Sequence, residues 1–212
     1  MLTNMKNPFT TQEHELIRQT VREFAEKEIR PLAYDLDREE KFSVDLAKSM
    51  GDLGLFGMCI PKEYGGQGLD YLSLIIAIEE IARVDSSQAG TLSVHNSLGA
   101  GPIYYHGTEA QKEKYLPDLC TGEKIWAFAL TEPNSGSDSR SSSTRAKLKK
   151  GKWEINGTKT FITNVNTPIS LGVTVQVVTD INNGKKELLT GPSNPITKAC
   201  IEASKITCQI FI

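Results

Sequence analysis

The sequence lacks several features that would place it in common protein classes. Its four cysteines in 212 residues include no Cys-x-x-Cys pair and no cysteine–histidine cluster, so we expect reduced thiols and no metal site. A net charge of -2 gives no global field that favours nucleic acid or an anionic membrane. No apolar run reaches the length of a membrane span, and residues 1–11 lack the apolar core of a secretory signal. We therefore expect no nucleic acid, no membrane and a cytoplasmic location, or the mitochondrial matrix if the source is eukaryotic.

The first 122 residues carry the patterns of helices. Thr10–Glu13 has the form of a capping box, and apolar residues follow at helical spacing until Pro31. A second helix is predicted to begin at Ser43 and to end at Gly54, and Asp70 is predicted to cap an apolar helix that reaches about Val84. Ser86 or Ser87 is the predicted cap of the next helix. The capping box Thr108–Gln111 predicts a last helix, which Pro117 ends or kinks.

The character of the sequence changes to that of β-strands after Glu123. Residues 125–130 are apolar, residues 145–149 alternate, and residues 153–155 follow a Lys150-Gly151 turn. A further strand is predicted at Val173–Asp180, before a turn at residues 182–184. The sequence therefore predicts an all-helical domain over residues 1–122, followed by a β domain.

The most informative segment runs from Trp126 to Ser141. It is a strand leading into a loop of small residues, where exposed amides and hydroxyls can approach a polar ligand closely. The physical pattern leaves open whether that ligand is an anion or a heterocycle. The Gly136-Ser137-Asp138 element alone is typical of an ordinary loop.

The whole string from Ala129 to Ser141 resembles the first signature of the acyl-CoA dehydrogenases. The resemblance covers roughly residues 8–186, and it implies an α+β protein in which the middle domain, residues 123–186, is antiparallel, β-barrel-like and flavin-facing. Four other segments agree with the family in order, namely Ile60–Asp70, Val94–Leu98 with Gly101–Ile103, Gly107–Pro117 and Ile155–Asn164.

The resemblance also implies an activity and a set of site residues. The activity is α,β-dehydrogenation of an acyl-CoA thioester, with FAD as the hydride acceptor. The resemblance also implies that an electron-transfer flavoprotein accepts the electrons and that the protein forms a homo-oligomer. Residues from Phe128 onward would line the flavin, with backbone groups near Leu130 and the Thr131 hydroxyl at its pyrimidine edge. Gly136 and Ser137 would lie near the pyrophosphate, Ser137 would also touch the acyl-CoA, and Phe161, Ile162 and Thr163 would meet the flavin ring, with Phe161 where the family has tryptophan.

The catalytic residue is left unassigned. In the family the base is a glutamate in a carboxy-terminal helical bundle, no glutamate here matches that position, and we expect the chain to stop before the bundle and to be inactive alone. Residues 187–212 depart from the family pattern; a frame change near Lys186 and an internal deletion or mis-assigned sequence are the competing hypotheses. The alternative to a dehydrogenase is a non-catalytic remnant that binds flavin or CoA, or serves as an interaction module.

Three other features are interpreted as structural. His95 and His106 lack a partner at ligand spacing, so packing is favoured, although His95 is a candidate for the border of the acyl pocket. The basic residues between Arg145 and Lys152 are typical of a solvated hairpin face. Gly65–Gly68 lacks the continuation of a P-loop, so it is interpreted as a structural turn.

Overall fold

The chain is an α+β protein in which helices precede sheets, as the sequence predicts. The computed structural model describes residues 9–149 and 152–180 and the short segments 186–188, 200–202 and 210–211. Within these ranges, no helix is both long and apolar enough to cross a bilayer. The helices are α1 (Gln12–Phe24), α2 (Arg30–Arg38), α3 (Val44–Asp52), α4 (Tyr71–Ala82), α5 (Ser86–Val94), α6 (Gly101–His106) and α7 (Glu109–Cys120), with π-helical turns at Ala25–Ile29 and His95–Ala100.

The first helix begins one residue later than predicted. Thr11, not Thr10, is its cap: the Thr11 hydroxyl accepts from the His14 N–H at 3.3 Å, and the Thr11 N–H donates to His14 Nδ1 at 3.0 Å. His14 therefore takes the role expected of Glu13. A tertiary contact explains this choice, because His14 Nε2 also lies 3.1 Å from the carboxylate of Asp70, which caps α4. One imidazole thus joins the starts of two helices.

The helix also does not stop at Pro31. The π-helical turn Ala25–Ile29 comes first, and the Arg30 N–H donates to the Ala25 carbonyl five residues back. Pro31 then occupies the first turn of α2, where its missing N–H costs little. A π-helical turn inserts a residue into the helix, so the chain continues past the proline instead of ending.

The remaining caps follow the sequence in most cases. Ser43, Asp70 and Thr108 cap their helices as predicted, and Gly54 is left-handed at φ 77°. Asp85 caps α5 in place of the predicted serines, because its carboxylate accepts from two backbone N–H groups of the first turn, at 2.8 and 3.3 Å. Of the two outcomes predicted at Pro117, an end or a kink, the helix does not end at the proline, since α7 continues to Cys120 with buried leucines on both sides of it.

Helices α1 and α4 are joined by a buried carboxylate. Glu80 is almost inaccessible to solvent and accepts hydrogen bonds from Arg18, Arg22 and Arg83 at 2.8 to 2.9 Å. Burial raises the pKa of a carboxylate, but the hydrogen bonds from the three guanidinium groups outweigh it and lower the pKa of Glu80 to about 2. The carboxylate therefore stays charged and fixes α1 against α4.

The described strands form three separate sheets with mixed pairing. The strands are β1 (Ile125–Ala129), β2 (Arg145–Lys149), β3 (Lys152–Asn156), β4 (Lys159–Thr160), β5 (Ser170–Val175), β6 (Val178–Asp180), β7 (Lys186–Leu188), β8 (Cys200–Glu202) and β9 (Ile210–Phe211). β1 pairs with β5, β2 with β6 and β4 with β9 in parallel, whereas β2–β3, β5–β8 and β6–β7 are antiparallel. The sheet orders are β1-β5-β8, β3-β2-β6-β7 and β4-β9.

The prediction of an antiparallel domain therefore needs correction, because three of the described strand pairs are parallel, and the predicted barrel stays a prediction. The α+β class stands, but the described strands do not close into one sheet, and β1 and β5 pair in parallel. Three other strands lie between them in sequence, so the chain is long enough there for the crossover that a parallel pair needs. The predicted strand Val173–Asp180 is interrupted at residues 176–177.

Some of the sequence predictions concern residues that the structure does not describe. The predicted turns at Lys150-Gly151 and at residues 182–184 lie outside the described residues, as does the divergent tail 187–212 apart from β7, β8 and β9. The division into domains at residue 122 stays a prediction.

His95 connects the helices to the first strand. Its ring lies in the core edge-on to Phe56 at 4.7 Å, accepts at Nδ1 from the Trp126 N–H at 3.3 Å, and lies with Nε2 3.0 Å from the Leu119 carbonyl. These two partners require a neutral ring whose proton is on Nε2. Burial lowers the pKa of His95 to about 4, against the smaller opposing effect of the Leu119 carbonyl. The expected packing role is confirmed by this geometry.

We predict that His95 makes the protein less stable as the pH falls from about 6.5 to about 4. In that window the unfolded chain takes up a proton on this histidine and the folded chain does not, so the free energy of unfolding should drop by up to about 3 kcal/mol. Below pH 4 both states are protonated and the contribution of His95 no longer changes.

Urea unfolding across this pH range measures the effect. The His95→Gln variant should show a flatter profile than the wild type, while His106→Gln, at an exposed position, should keep the wild-type slope. Equal slopes for the wild type and His95→Gln would show that His95 does not resist protonation in the fold.

Candidate functional site

A buried ion pair joins the two segments singled out in the sequence. Glu132 lies in the loop after β1, is 4% exposed, and pairs with Lys159 of β4, which is 1% exposed, at 2.9 Å. The Lys159 ammonium also donates to the Leu130 carbonyl at 2.8 Å and to the Ser142 hydroxyl at 3.3 Å. A charge is buried at this depth only when its hydrogen bonds are satisfied, and here they are.

The Glu132 carboxylate also binds residues 142–144 at the other end of the same loop. It accepts from the Ser142 hydroxyl, from the Ser143 N–H and hydroxyl at 2.7 and 2.6 Å, and from the Thr144 N–H at 3.0 Å. Burial by itself raises the pKa of this carboxyl, but the donors, with Lys159, together outweigh burial and hold the pKa of Glu132 well below its usual range. Glu132 is therefore ionised at neutral pH and closes residues 132–144 into a loop.

Backbone hydrogen bonds place the loop beside β4. The Thr160 N–H donates to the Thr131 carbonyl at 2.9 Å, so residues 130–131, which follow β1, lie against β4. Glu132 and Ser135 exchange two backbone hydrogen bonds of 2.9 and 3.1 Å, and the Ser135 hydroxyl donates to the Asp138 carbonyl at 2.7 Å. The loop is thus a fixed turn whose tip, at Gly136 and Ser137, is exposed.

The residues predicted to line a ligand divide into exposed and packed positions. Phe128, Leu130 and Thr131 are half-buried, Thr163 is exposed, and the side chain of Ile162 lies inside the core cluster of the β domain. Because Ile162 packs inward, only its backbone is free to face a ligand. A Cβ added at Gly136 would meet nothing within 4 Å, so the loop tip borders open space.

Phe161 is the most unusual of these residues. Its side chain is 82% exposed and its backbone is left-handed at φ 57°, a conformation that costs free energy for a bulky residue. Asn164 and Asn166 are also left-handed, at φ 68° and 57°. The segment after β4 therefore holds an exposed aromatic face in a strained turn, next to a loop of small residues. An exposed aromatic face of this kind can stack on a planar heterocycle.

The sequence pattern did not reveal the role of Glu132 and Lys159. The available signal was chemical: Glu132 directly follows the apolar run of β1, where a charge must be paired, and Lys159 is the cation that β4 supplies. The other candidates have structural settings. Gly66 has no room for a side chain, since an added Cβ would lie 2.0 Å from the Ile60 carbonyl oxygen, and the basic residues of β2 at 145, 147 and 149 are exposed.

Comparison with known proteins matches both halves of the chain. Residues 11–123 match the family description "Acyl-CoA dehydrogenase, N-terminal domain" and residues 127–192 match "Acyl-CoA dehydrogenase, middle domain". The short-chain specific acyl-CoA dehydrogenase of Clostridium acetobutylicum is 51% identical over 154 residues, which are 73% of this chain and 41% of that protein. This chain therefore spans about two fifths of that relative's length.

Two solved structures are similar in fold and in sequence. A chain in the structure of the electron transferring flavoprotein of Acidaminococcus fermentans has a TM-score of 0.78 and 39% identity, covering 88% of this chain and 50% of that one. The acyl-CoA dehydrogenase of Bacillus anthracis, complexed with FAD, has a TM-score of 0.75 and 39% identity, covering 83% of this chain and 30% of that one. With one family description matched over more than half of the sequence, the chain belongs to the acyl-CoA dehydrogenase family.

Proposed function

We propose that this chain supplies the FAD-facing part of an acyl-CoA dehydrogenase, a flavoprotein that removes hydrogens from the α and β carbons of an acyl-CoA thioester. The observation that carries the proposal is the exposed, left-handed Phe161 beside the loop that Glu132 and Lys159 hold closed. The FAD complex of the Bacillus anthracis relative supports the choice of cofactor. The Clostridium acetobutylicum relative supports a short-chain acyl-CoA as the first substrate to test.

One group of residues would bind the isoalloxazine ring of FAD, and another would bind its pyrophosphate. Thr131, Phe161, the Ile162 backbone and Thr163 would hold the isoalloxazine ring, beside Phe128 and Leu130. Gly136 and Ser137, at the exposed loop tip, suit the pyrophosphate because the tip leaves room for a phosphate to approach the backbone. Ser137 would also contact the acyl-CoA. The bound FAD supplies the acceptor for the hydride.

The proton of the α carbon needs a separate base, and Glu132 does not suit that role. Its carboxylate is buried, accepts from Ser142, Ser143, Thr144 and Lys159, and has a pKa held well below its usual range. A carboxylate so strongly hydrogen-bonded in its charged form is a weak proton acceptor. We therefore assign Glu132 to the architecture of the site and leave the base unassigned.

Further parts of the proposal concern assembly. We propose that the described strands belong to a barrel-like domain, that the protein forms homo-oligomers, and that an electron-transferring flavoprotein takes up the electrons. The similarity to a chain in the electron transferring flavoprotein structure of Acidaminococcus fermentans supports the last point. Support for self-association comes from an exposed patch on α4 and α6, defined by Tyr71, Ile75 and Tyr105.

We predict that the purified chain binds FAD and that Thr163→Val weakens this binding. Thr163 is exposed, so its replacement should leave the free energy of unfolding within about 0.5 kcal/mol of the wild type. Loss of one hydrogen bond to the ring should raise the dissociation constant for FAD by about tenfold. Titration of FAD, followed by quenching of its fluorescence and by its visible absorbance, measures the change in affinity, and urea unfolding measures the stability.

Thr20→Val is the matched control, because Thr20 is an exposed threonine on α1 and no proposed ligand contact involves it. It should bind FAD like the wild type. A wild-type chain that leaves the FAD signals unchanged would contradict the proposal and favour a remnant that acts as an interaction module.

We predict that the chain self-associates through the patch of Tyr71, Ile75 and Tyr105. Ile75→Lys places a charge in the patch and should shift the mass measured by light scattering towards the monomer. Tyr34→Lys, at an exposed position on α2, should leave the mass unchanged. A monomeric wild-type chain over the whole concentration range would contradict self-association.

A further inference from the structure

We propose that Lys159, held in place by Glu132, is a positioning residue that aims the backbone N–H of Thr131 at the bound flavin. The inference rests on the proposed function, since it assigns a specific task in that site to two residues that do not themselves reach the ligand. It starts from the three hydrogen bonds of one buried ammonium group.

Lys159 uses all three of its donors inside the protein. They go to the Glu132 carboxylate at 2.9 Å, the Ser142 hydroxyl at 3.3 Å and the Leu130 carbonyl at 2.8 Å. The first two contacts fix the ammonium relative to the loop. The third is with the backbone, and it fixes the direction of the carbonyl between Leu130 and Thr131.

The direction of that carbonyl determines the direction of the Thr131 N–H. A peptide unit is planar and trans, so its C=O and N–H point to opposite sides of the chain. With the Leu130 carbonyl drawn to Lys159, the Thr131 N–H points away from the buried pair. Within the described residues, it donates to no backbone carbonyl. The next carbonyl, that of Thr131, is held by the Thr160 N–H at 2.9 Å, so the peptide units on both sides of Thr131 are fixed.

A role in folding alone does not explain the use of a charged pair here. Removing two charges from water is costly, and an apolar pair of similar volume is often as stabilising as a buried ion pair. The neighbouring core of the β domain is built from alanine, valine and isoleucine. What an apolar pair cannot provide is a donor that orients the Leu130 carbonyl. We conclude that the ion pair serves to orient the Leu130–Thr131 peptide at the site.

The expected consequence is specific to the flavin. An N–H that meets the pyrimidine edge of the ring stabilises the negative charge gained there on reduction. If the Leu130–Thr131 peptide is free to rotate, the chain should bind FAD more weakly, and the reduction potential of the bound flavin should become more negative. A residue that only maintained the fold would change the free energy of unfolding without these two effects.

Three variants separate the two roles. Lys159→Met removes the ammonium and leaves Glu132 as an unpaired buried charge. The double variant Glu132→Gln, Lys159→Met removes that charge as well. The glutamine amide keeps one oxygen, which can still accept hydrogen bonds from some of the donors in the loop. Arg22→Met is the matched control, because it removes one cation from Glu80, a second buried carboxylate among the described residues, in the helical part of the chain.

The measurements are urea unfolding, FAD titration and the reduction potential of the bound flavin, all on the full chain. Lys159→Met should lower the free energy of unfolding and weaken FAD binding about tenfold or more. The double variant should recover stability, yet still bind FAD about tenfold more weakly and show a more negative potential. Arg22→Met should lose stability and keep the wild-type FAD affinity and potential.

A double variant with wild-type affinity and potential would overturn the inference, since Lys159 would then serve only to neutralise Glu132. A wild-type chain that binds no FAD would overturn the proposed function, and the inference with it. If the double variant does not fold, the wild-type chain labelled with ¹⁵N-threonine decides the question. FAD should then shift the Thr131 amide signal and slow its hydrogen exchange, and an unchanged signal would refute the proposal.

Discussion

The arrangement of the site depends on keeping one charge pair out of water. The Glu132 carboxylate cannot be left without donors once it is buried, so Lys159 on one side and residues 142–144 on the other are drawn to it. This requirement closes the loop and sets β4 against the residues that follow β1, and the exposed turn at Phe161 comes directly after β4. Each part alone is an ordinary loop or a two-residue strand. The desolvated pair makes them one surface.

The same physics operates in the helical part, with a different result. Glu80 is as deeply buried as Glu132, but its partners are two arginines of α1 and Arg83, which directly follows α4, and it joins regular elements instead of shaping a loop. His95 completes the connection between the two parts without any charge, because its neutral ring bonds both the end of α7 and the start of β1. The two halves are therefore joined by a desolvated polar contact that works only while the imidazole is uncharged.

Local chemistry was enough to predict much of this fold, and tertiary contacts explain the misses. Asp70, Ser43 and Thr108 are each the best cap available where a helix starts, so the sequence identifies them. Thr10 and Thr11 are equally good by local rules, and the contact between His14 and Asp70 decides between them. Apolar and alternating runs indicate strand positions, but they do not specify which strands pair, so the sequence does not predict the parallel pairing of β1 with β5. The loop of the site was located by its small residues, whereas Glu132 and Lys159 are 27 positions apart and their contact exists only in the fold.

The π-helical turn between α1 and α2 has a consequence for dynamics. A straight α-helix turns by about 100° per residue, so one inserted residue rotates everything beyond it out of register with the apolar stripe of α1. Val21, Ala25 and Ile29 are buried up to that point, whereas no side chain of α2 is fully buried. A helix with so little burial opens at low free energy, on its own and ahead of the domain. Residues 30–38 should therefore form the least protected cooperative unit among the described helices, and a protease would reach this stretch while the rest of the molecule stayed folded.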